Sequence, residues 1–265
     1  MRKHILALLF AIMSLSPLSA EVFHLNAVVD SIAWGSALTV NATDLICKTY
    51  APKTATYPTT VLSSDSVNAF DRLFMKPYNK KLGQAGTILE VASLGTAAML
   101  AATDKSEWGT IAMMYAESVL LSNGLKELSK DTISRARPYM YFSGSPAEDD
   151  WNASFFSGHT TLAFTGAAFT SYVFSKYFPD SKWKIPVIAG CYTLATATAA
   201  SRIMSGSHFL SDVLTGAIVG TLSGILVPYL HTLEFGEKQK QDGMPKHFFL
   251  TASLIPNGFL VCCDF

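Results

Sequence analysis

Residues 209–231 read FLSDVLTGAIVGTLSGILVPYLH, with one charged side chain, Asp212, and uncharged residues elsewhere. At 1.5 Å per residue, a helix over this run crosses the roughly 30 Å hydrocarbon core of a bilayer, for which about 20 apolar residues suffice. Working back along the chain, 86–103, 109–128, 160–178 and 185–201 have similar length and low charge. The five runs predict an all-α helical bundle embedded in a membrane, with five or six core helices. The many Ala, Thr and Ser residues of 160–178 and 185–201 keep a soluble bundle open as the other reading. Glu90 and Glu117 fall inside the two earliest runs, where an acid is expected to face protein or water and not lipid. The stretch 27–47 is interrupted by Asp30, Asn41 and Asp44. It is expected to lie against the other helices or on the surface, with spanning as the alternative.

Composition agrees with this reading. Of 265 residues, 49% are hydrophobic and 15% charged, which is apolar for a soluble enzyme and ordinary for a helical membrane protein. Lys+Arg and Asp+Glu cancel at 20 each. No overall positive field is available to hold a nucleic-acid backbone, so nucleic acid is excluded as a partner, and no obligate protein partner is indicated.

The chain divides into 1–20, 21–233 and 234–265. Met1-Arg2-Lys3-His4, the apolar run Ile5 to Met13 and the small residues up to Ala20 match the three regions of a secretory signal, with cleavage before Glu21 or retention as an anchor both open. The middle segment holds the bundle. Within it, Val67, Phe70, Leu73 and Phe74 recur at helical spacing beside Asp71, Arg72 and Lys76, as in an interfacial amphipathic helix or an ordinary surface one. The last segment is first polar and then strand-like on either side of Pro256-Asn257-Gly258, a hairpin-turn signal. Cys47, Cys191, Cys262 and Cys263 have no metal-ligand spacing and read as buried small apolar residues.

The informative residues fall at helix ends. Lys130 to Arg137-Pro138 follows the second long helix, Ser157-Gly158-His159 opens the third, Ser201-Arg202 closes the fourth, and His208 opens the fifth. Antiparallel helices with short connections would bring all of these to one membrane face. The residue types suit phosphoryl transfer, where catalysis is mainly positioning and neutralisation of charge on the non-bridging oxygens. Lys130, Arg137 and Arg202 supply positive charge, and Ser157 with the N–H groups of Gly158 and His159 supplies anion donors at a helix N-terminus. His208 and Asp212 are four apart, about 40° around a helix and about 6 Å along it. The carboxylate is therefore expected to hold one ring nitrogen while the other attacks phosphorus. His159 remains to protonate the leaving oxygen.

These three motifs resemble the signatures of the type 2 phosphatidic acid phosphatase superfamily, which also includes bacterial acid phosphatases and vanadium haloperoxidases. The resemblance is specific across 130–212 and looser, through helix order, across about 65–231. It implies His208 as nucleophile, Asp212 as its orienter and His159 as general acid. Lys130, Arg137, Ser157, Gly158 and Arg202 are the implied phosphate ligands. One position departs: the second signature usually has Pro before Ser-Gly-His, and this chain has Phe156.

The expected function is metal-independent hydrolysis of a lipid-linked phosphate monoester or diphosphate through a phosphohistidine, without a cofactor and with the membrane and a lipid phosphate as partners. The rival readings are a soluble secreted non-specific acid phosphatase, a vanadium haloperoxidase and a non-catalytic membrane scaffold. Helix counting after an exported N-terminus puts the site at the periplasmic face of a bacterial cell membrane if 27–47 does not span. If it spans, the site is cytoplasmic.

Overall fold

The structure, a computed structural model, describes residues 22–50, 57–58, 60–146, 149–233, 249–255 and 258–264. The run 5–20 expected as a leader lies outside the described residues, as do Glu148 and the turn residues Pro256 and Asn257.

Seven α-helices occur among the described residues: α1 (Ala27–Tyr50), α2 (Ala69–Arg72), α3 (Lys80–Leu94), α4 (Trp108–Thr132), α5 (Gly158–Tyr177), α6 (Lys184–Met204) and α7 (Leu210–Leu230). A 3₁₀ segment, Gly95–Ala102, continues α3. The chain is thus all-α over 22–233. Separately, β1 (Phe249–Ile255) and β2 (Gly258–Asp264) pair antiparallel with Ile255 opposite Gly258, the hairpin that the Asn-Gly signal predicts.

Several predicted boundaries shift. The run expected from 86 begins at Lys80, because Asn79 caps it by accepting from the Leu82 N–H at 3.2 Å. Lys130, expected beyond the second long helix, lies in the last turn of α4, and α6 runs past Ser201-Arg202 to Met204. His208 does not open α7; that helix starts at Leu210, with Phe209 as its N-cap. The amphipathic stretch around Phe70 condenses to one turn, in which Phe70, Leu73 and Phe74 are exposed while Val67 is buried.

Helix α5 is the centre, packed against α3, α4, α6 and α7. Its residues are small or apolar all round, and Ala163, Ala167, Ala168, Phe169, Val173 and Phe174 are wholly buried, as befits a helix surrounded by others. Helix α7 has two unlike faces. Gly216, Gly220 and Gly224 line one, where an added Cβ would lie 2.7, 2.1 and 2.6 Å from the carbonyl oxygens of Ser157, Thr161 and Thr165 on α5. Only glycine allows that approach. Leu214, Ile218, Leu222 and Leu226 line the other face at four-residue spacing, each about half exposed or more. A continuous exposed apolar stripe on a folded helix calls for an apolar environment. Lys80–Ala102 and Leu210–Leu230 are long and apolar enough to cross a membrane by length and composition.

The interrupted stretch 27–47 forms all of α1, which runs beside α4 in the same direction. Trp34 Nε1 donates to Met113 Sδ at 3.2 Å, Asn41 Nδ2 to the Leu120 carbonyl at 2.9 Å, and Lys48 Nζ to Glu127 Oε2 at 2.9 Å. The pairs 34–113, 41–120 and 48–127 advance by seven on both helices, the repeat of a parallel left-handed pair. Of the polar residues that broke the hydrophobic run, Asn41 faces α4, where it also accepts from Asn123 Nδ2 at 3.0 Å, while Asp30 meets His231 and Asp44 pairs with Lys48 of α1 itself.

Candidate active site

All the predicted site residues gather at one end of the bundle, where α1, α4 and α6 finish and α3, α5 and α7 begin. Two backbone devices position them. The strip Arg135 to Arg137 pairs in parallel with 151–154: the N–H groups of Arg135 and Arg137 donate to the carbonyls of Asn152 and Trp151, each at 2.8 Å, and Ser154 N–H donates to the Arg135 carbonyl at 3.0 Å. The turn from Arg202 to His208 is fixed by Gly206, whose φ of +72° favours glycine and whose missing Cβ would fall 2.4 Å from the Lys76 carbonyl. Tyr139 N–H and Asn79 N–H donate into the same turn, to the carbonyls of Gly206 (3.1 Å) and Ser205 (3.0 Å).

His208 is buried between these devices. Its Nδ1 lies 2.8 Å from the Ser154 carbonyl oxygen, an acceptor only, so the ring proton is on Nδ1 and Nε2 carries the lone pair. Nε2 is 3.4 Å from Arg137 Nη1. Burial, and then the cations Arg137, Arg202 and Lys130, push the His208 pKa well below the ordinary histidine range against the contrary effect of the Ser154 carbonyl. These surroundings favour the neutral imidazole.

Asp212 does not hold that ring. Its Oδ2 is 3.8 Å from His208 Nδ1, beyond hydrogen-bond reach. The i,i+4 expectation assumed one helix through both residues, whereas α7 starts after His208. Asp212 is the third residue of α7 and turns back to accept from the Phe209 N–H at 2.9 Å, which caps the start of the helix. It also accepts from Ser154 Oγ at 2.6 Å and is ion-paired to Arg135. Asp212 thus acts on His208 through Ser154, whose hydroxyl it fixes and whose carbonyl receives the ring proton.

Arg135 and Asp71 were not singled out by sequence, although both are in contact with this network. Arg135 Nη2 lies 2.6 Å from Asp71 Oδ2, and Asp71, fully buried at α2, also accepts from the Ser211 N–H (2.9 Å), the Ser211 hydroxyl (2.7 Å) and Asn68 Nδ2 (2.8 Å). Burial works against the Asp71 charge, but the donors Ser211, Asn68 and Arg135 outweigh it and hold its pKa below the usual carboxylate value. The chain Asp71–Arg135–Asp212–Ser154 therefore ties the short helix α2 to His208.

The remaining residues surround the same space. Arg137 is ion-paired to Asp150 and donates through Nε to the Asp150 carbonyl at 3.0 Å. Arg202 Nη1 donates to the Gly83 carbonyl at 2.9 Å, near the start of α3. Lys130 is 3.7 Å from Glu127, which also binds Lys126 at 2.6 Å. A Cβ on Gly158 would lie 2.8 Å from Lys126 Cδ and 3.4 Å from Lys130 Nζ, so both lysines lie against the start of α5. Gly158 and His159 are the first two residues of α5, whose N–H groups have no intrahelical acceptor. Ser157 N–H, by contrast, is taken by the Asp212 carbonyl at 3.1 Å, and the Ser157 hydroxyl lies 2.9 Å from that of Thr160. His159 Nε2 is 3.1 Å from Thr87 Oγ1 and 3.5 Å from Glu90 Oε2. The acid expected to avoid lipid thus faces this histidine. Phe156, where proline is usual, donates its N–H to Ser129 Oγ at 3.2 Å, a bond proline could not make.

Residues 111–235 match the family model described as the PAP2 superfamily. Lipid A 1-phosphatase of Porphyromonas gingivalis is 35% identical over 154 residues, a match covering 55% of this chain and 31% of that protein. The chain therefore spans about a third of the length of that curated relative. The crystal structure of a transmembrane PAP2-type phosphatidylglycerolphosphate phosphatase from Bacillus subtilis aligns at 21% identity and TM-score 0.40, over 74% of this chain and 95% of that one. Residues 111–235, which hold all three signatures in order, are thus similar to the PAP2 superfamily.

Proposed function

We propose that the chain is a membrane-embedded phosphatase that hydrolyses a lipid-linked phosphate monoester or diphosphate through a phosphohistidine on His208, with its site at the periplasmic face. The observation that carries this reading is the neutral His208 ring, its Nδ1 proton committed to the Ser154 carbonyl and its Nε2 lone pair 3.4 Å from the Arg137 guanidinium. A guanidinium beside a nucleophilic nitrogen binds the oxygens of the group to be attacked.

In the proposed reaction Nε2 attacks phosphorus as the bond to the leaving alcohol or phosphate oxygen breaks. Arg137, Lys130, Arg202 and the N–H groups of Gly158 and His159 bind the non-bridging oxygens. Ser157 contributes as the residue before the helix, its hydroxyl shared with Thr160. His159, whose pKa burial and the nearby cations depress and the negative charge of the bound phosphate raises again, gives its proton to the departing oxygen, then accepts one from the water that hydrolyses the phosphohistidine. The exposed apolar stripe of α7 favours a lipid-embedded enzyme over a soluble acid phosphatase. Lipid A 1-phosphate, phosphatidate, phosphatidylglycerophosphate and an isoprenyl diphosphate all present a terminal phosphate, and assay of the purified chain against these four selects among them.

The positive charge that a two-metal phosphatase takes from its ions comes here from Lys130, Arg137 and Arg202. Brief treatment with EDTA should leave the initial rate unchanged at assay temperature, and vanadate, which adopts a five-coordinate shape, should inhibit. Complete loss of rate in EDTA with recovery in magnesium would refute the mechanism.

Sidedness follows from the direction of α1. Because α1 and α4 are parallel, the chain before Ala27 and the phosphate site lie at opposite ends of the bundle. A leader cut outside the membrane would then leave the site in the cytoplasm once α1 crosses, so a cleaved leader and a periplasmic site exclude each other. A periplasmic site therefore goes with an N-terminus that stays in the cytoplasm until α1 crosses. In a chain lacking Cys47, Cys191, Cys262 and Cys263, Ser145→Cys should react with an impermeant maleimide in spheroplasts, and Lys105→Cys only after permeabilisation. The reverse pattern would refute the periplasmic assignment.

A further inference from the structure

Glu117 is wholly buried in α4, and neither of its carboxylate oxygens has a hydrogen-bond partner. A carboxylate held out of water in this way requires a proton or a counter-cation beside it. The group it faces is His231, wholly buried just past the end of α7. His231 Nδ1 lies 2.9 Å from the Val227 carbonyl oxygen, which fixes the ring proton on Nδ1 and leaves a lone pair on Nε2. That nitrogen is 3.6 Å from Glu117 Oε2 and 2.9 Å from Asp30 Oδ1 of α1. One lone pair and two carboxylates thus converge, with one ligand atom from each residue within 4.8 Å of the others. Their mutual repulsion is relieved by a cation among them.

We propose that Asp30, Glu117 and His231 form a structural binding site for one divalent first-row transition ion, zinc or manganese, which clamps α1, α4 and α7 together at the end of the bundle away from the phosphate site. Bonds of about 2.0–2.2 Å to such an ion set neighbouring ligand atoms roughly 3–3.5 Å apart, close to the two spacings from Nε2. One imidazole nitrogen with two carboxylate oxygens suits zinc, manganese or iron(II), whereas calcium and magnesium favour all-oxygen sets. Two carboxylates also neutralise a divalent charge. The Val227 carbonyl acts as the outer partner that orients a ligating imidazole. Asp30, whose side chain retains 26% exposure, gives the ion a way in. Thirteen residues of helix separate Glu117 from Lys130, about 20 Å along the axis, so the site is independent of the phosphatase reading. No sequence spacing announces it, because its residues come from three helices and positions 30, 117 and 231.

The test uses the full chain in detergent, stripped with EDTA, desalted and titrated with zinc or manganese chloride. Bound metal is measured by mass spectrometry after a second desalting, and unfolding by tryptophan fluorescence. The stripped chain should retain about one ion and unfold at a higher temperature once loaded. Glu117→Gln and Asp30→Asn should weaken binding by roughly 100-fold and lose the metal-dependent rise in unfolding temperature, while hydrolysing a phosphate substrate at the wild-type rate, which reports that they are folded. A wild-type chain that takes up no ion and shows no thermal response overturns the proposal whatever the variants do, and leaves His231 sharing a proton with the two acids. Retention by Glu117→Gln equal to wild type overturns it too, since the ion would then sit elsewhere.

Discussion

His208→Ala will be inactive on both a lipid phosphate and p-nitrophenyl phosphate, with a loss of about 10⁴-fold or more, because it removes the only side-chain atom in the proposed reaction that bonds to phosphorus. Two associated results separate a nucleophile from a residue that merely shapes the pocket. Wild-type enzyme quenched in acid after a brief reaction should yield a base-stable, acid-labile phosphate, and His208→Ala should yield none. The pH profile should also carry the mark of the His208 environment. The reactive form is neutral and is populated above the folded pKa, which burial and then Arg137, Arg202 and Lys130 push well below the ordinary value. The His208 acid limb of kcat/KM, which reports the free enzyme, should therefore fall below the usual histidine pKa of about 6.5, with activity lost only as pH drops through the depressed value. Substantial turnover by His208→Ala on either substrate would identify another nucleophile.

Much of this site is legible in the sequence because its residues are tied to helix ends, and helix ends can be read from where apolar runs stop. Arg137 and His208 come together for that reason. What could not be read depends on where a helix begins to within two residues. Asp212 sits four after His208, and only the start of α7 at Leu210 decides that its carboxylate caps Phe209 and meets Arg135 and Ser154 in place of the ring. Asp71 lies 64 residues from Arg135, and no periodicity links a one-turn amphipathic segment to a buried ion pair. Glu90 had a signal, a charge in an apolar run, but nothing to show that His159 would be its neighbour. In α1, Asn41 is one of the residues that interrupt the hydrophobic pattern, and it does so because it bonds to α4, so that interruption marks the interface along which α1 lies against the other helices.

His159→Ala will separate the two substrates that His208→Ala treats alike. His159 sits across the site from the nucleophile, its Nε2 3.1 Å from Thr87 Oγ1 and 3.5 Å from Glu90 Oε2 on α3. Burial, and then Arg202, His208, Lys130 and Lys126, push the His159 pKa down to about 2. The imidazolium, the form a general acid must start in, therefore forms when the negative charge of the bound phosphate offsets the cations around it, with the Glu90 carboxylate beside the ring. An alkoxide released from a lipid phosphate is strongly basic and needs that proton as the bond to phosphorus breaks. The p-nitrophenolate ion is weakly basic and leaves without it. Loss of His159 should therefore lower lipid-phosphate turnover by about 10²–10⁴-fold while a larger share of the p-nitrophenyl phosphate burst survives. The second half-reaction depends on the same imidazole accepting a proton from water, so the steady rate after the burst should fall on both substrates and phosphoenzyme should accumulate on the aryl one. Glu90→Gln should shift the same discrimination in the same direction by a smaller factor, because the ring remains and only its protonated form is less favoured. Equal losses on burst and lipid turnover in His159→Ala, without accumulated phosphoenzyme, would remove His159 from proton transfer and leave it an anion-binding residue at the start of α5.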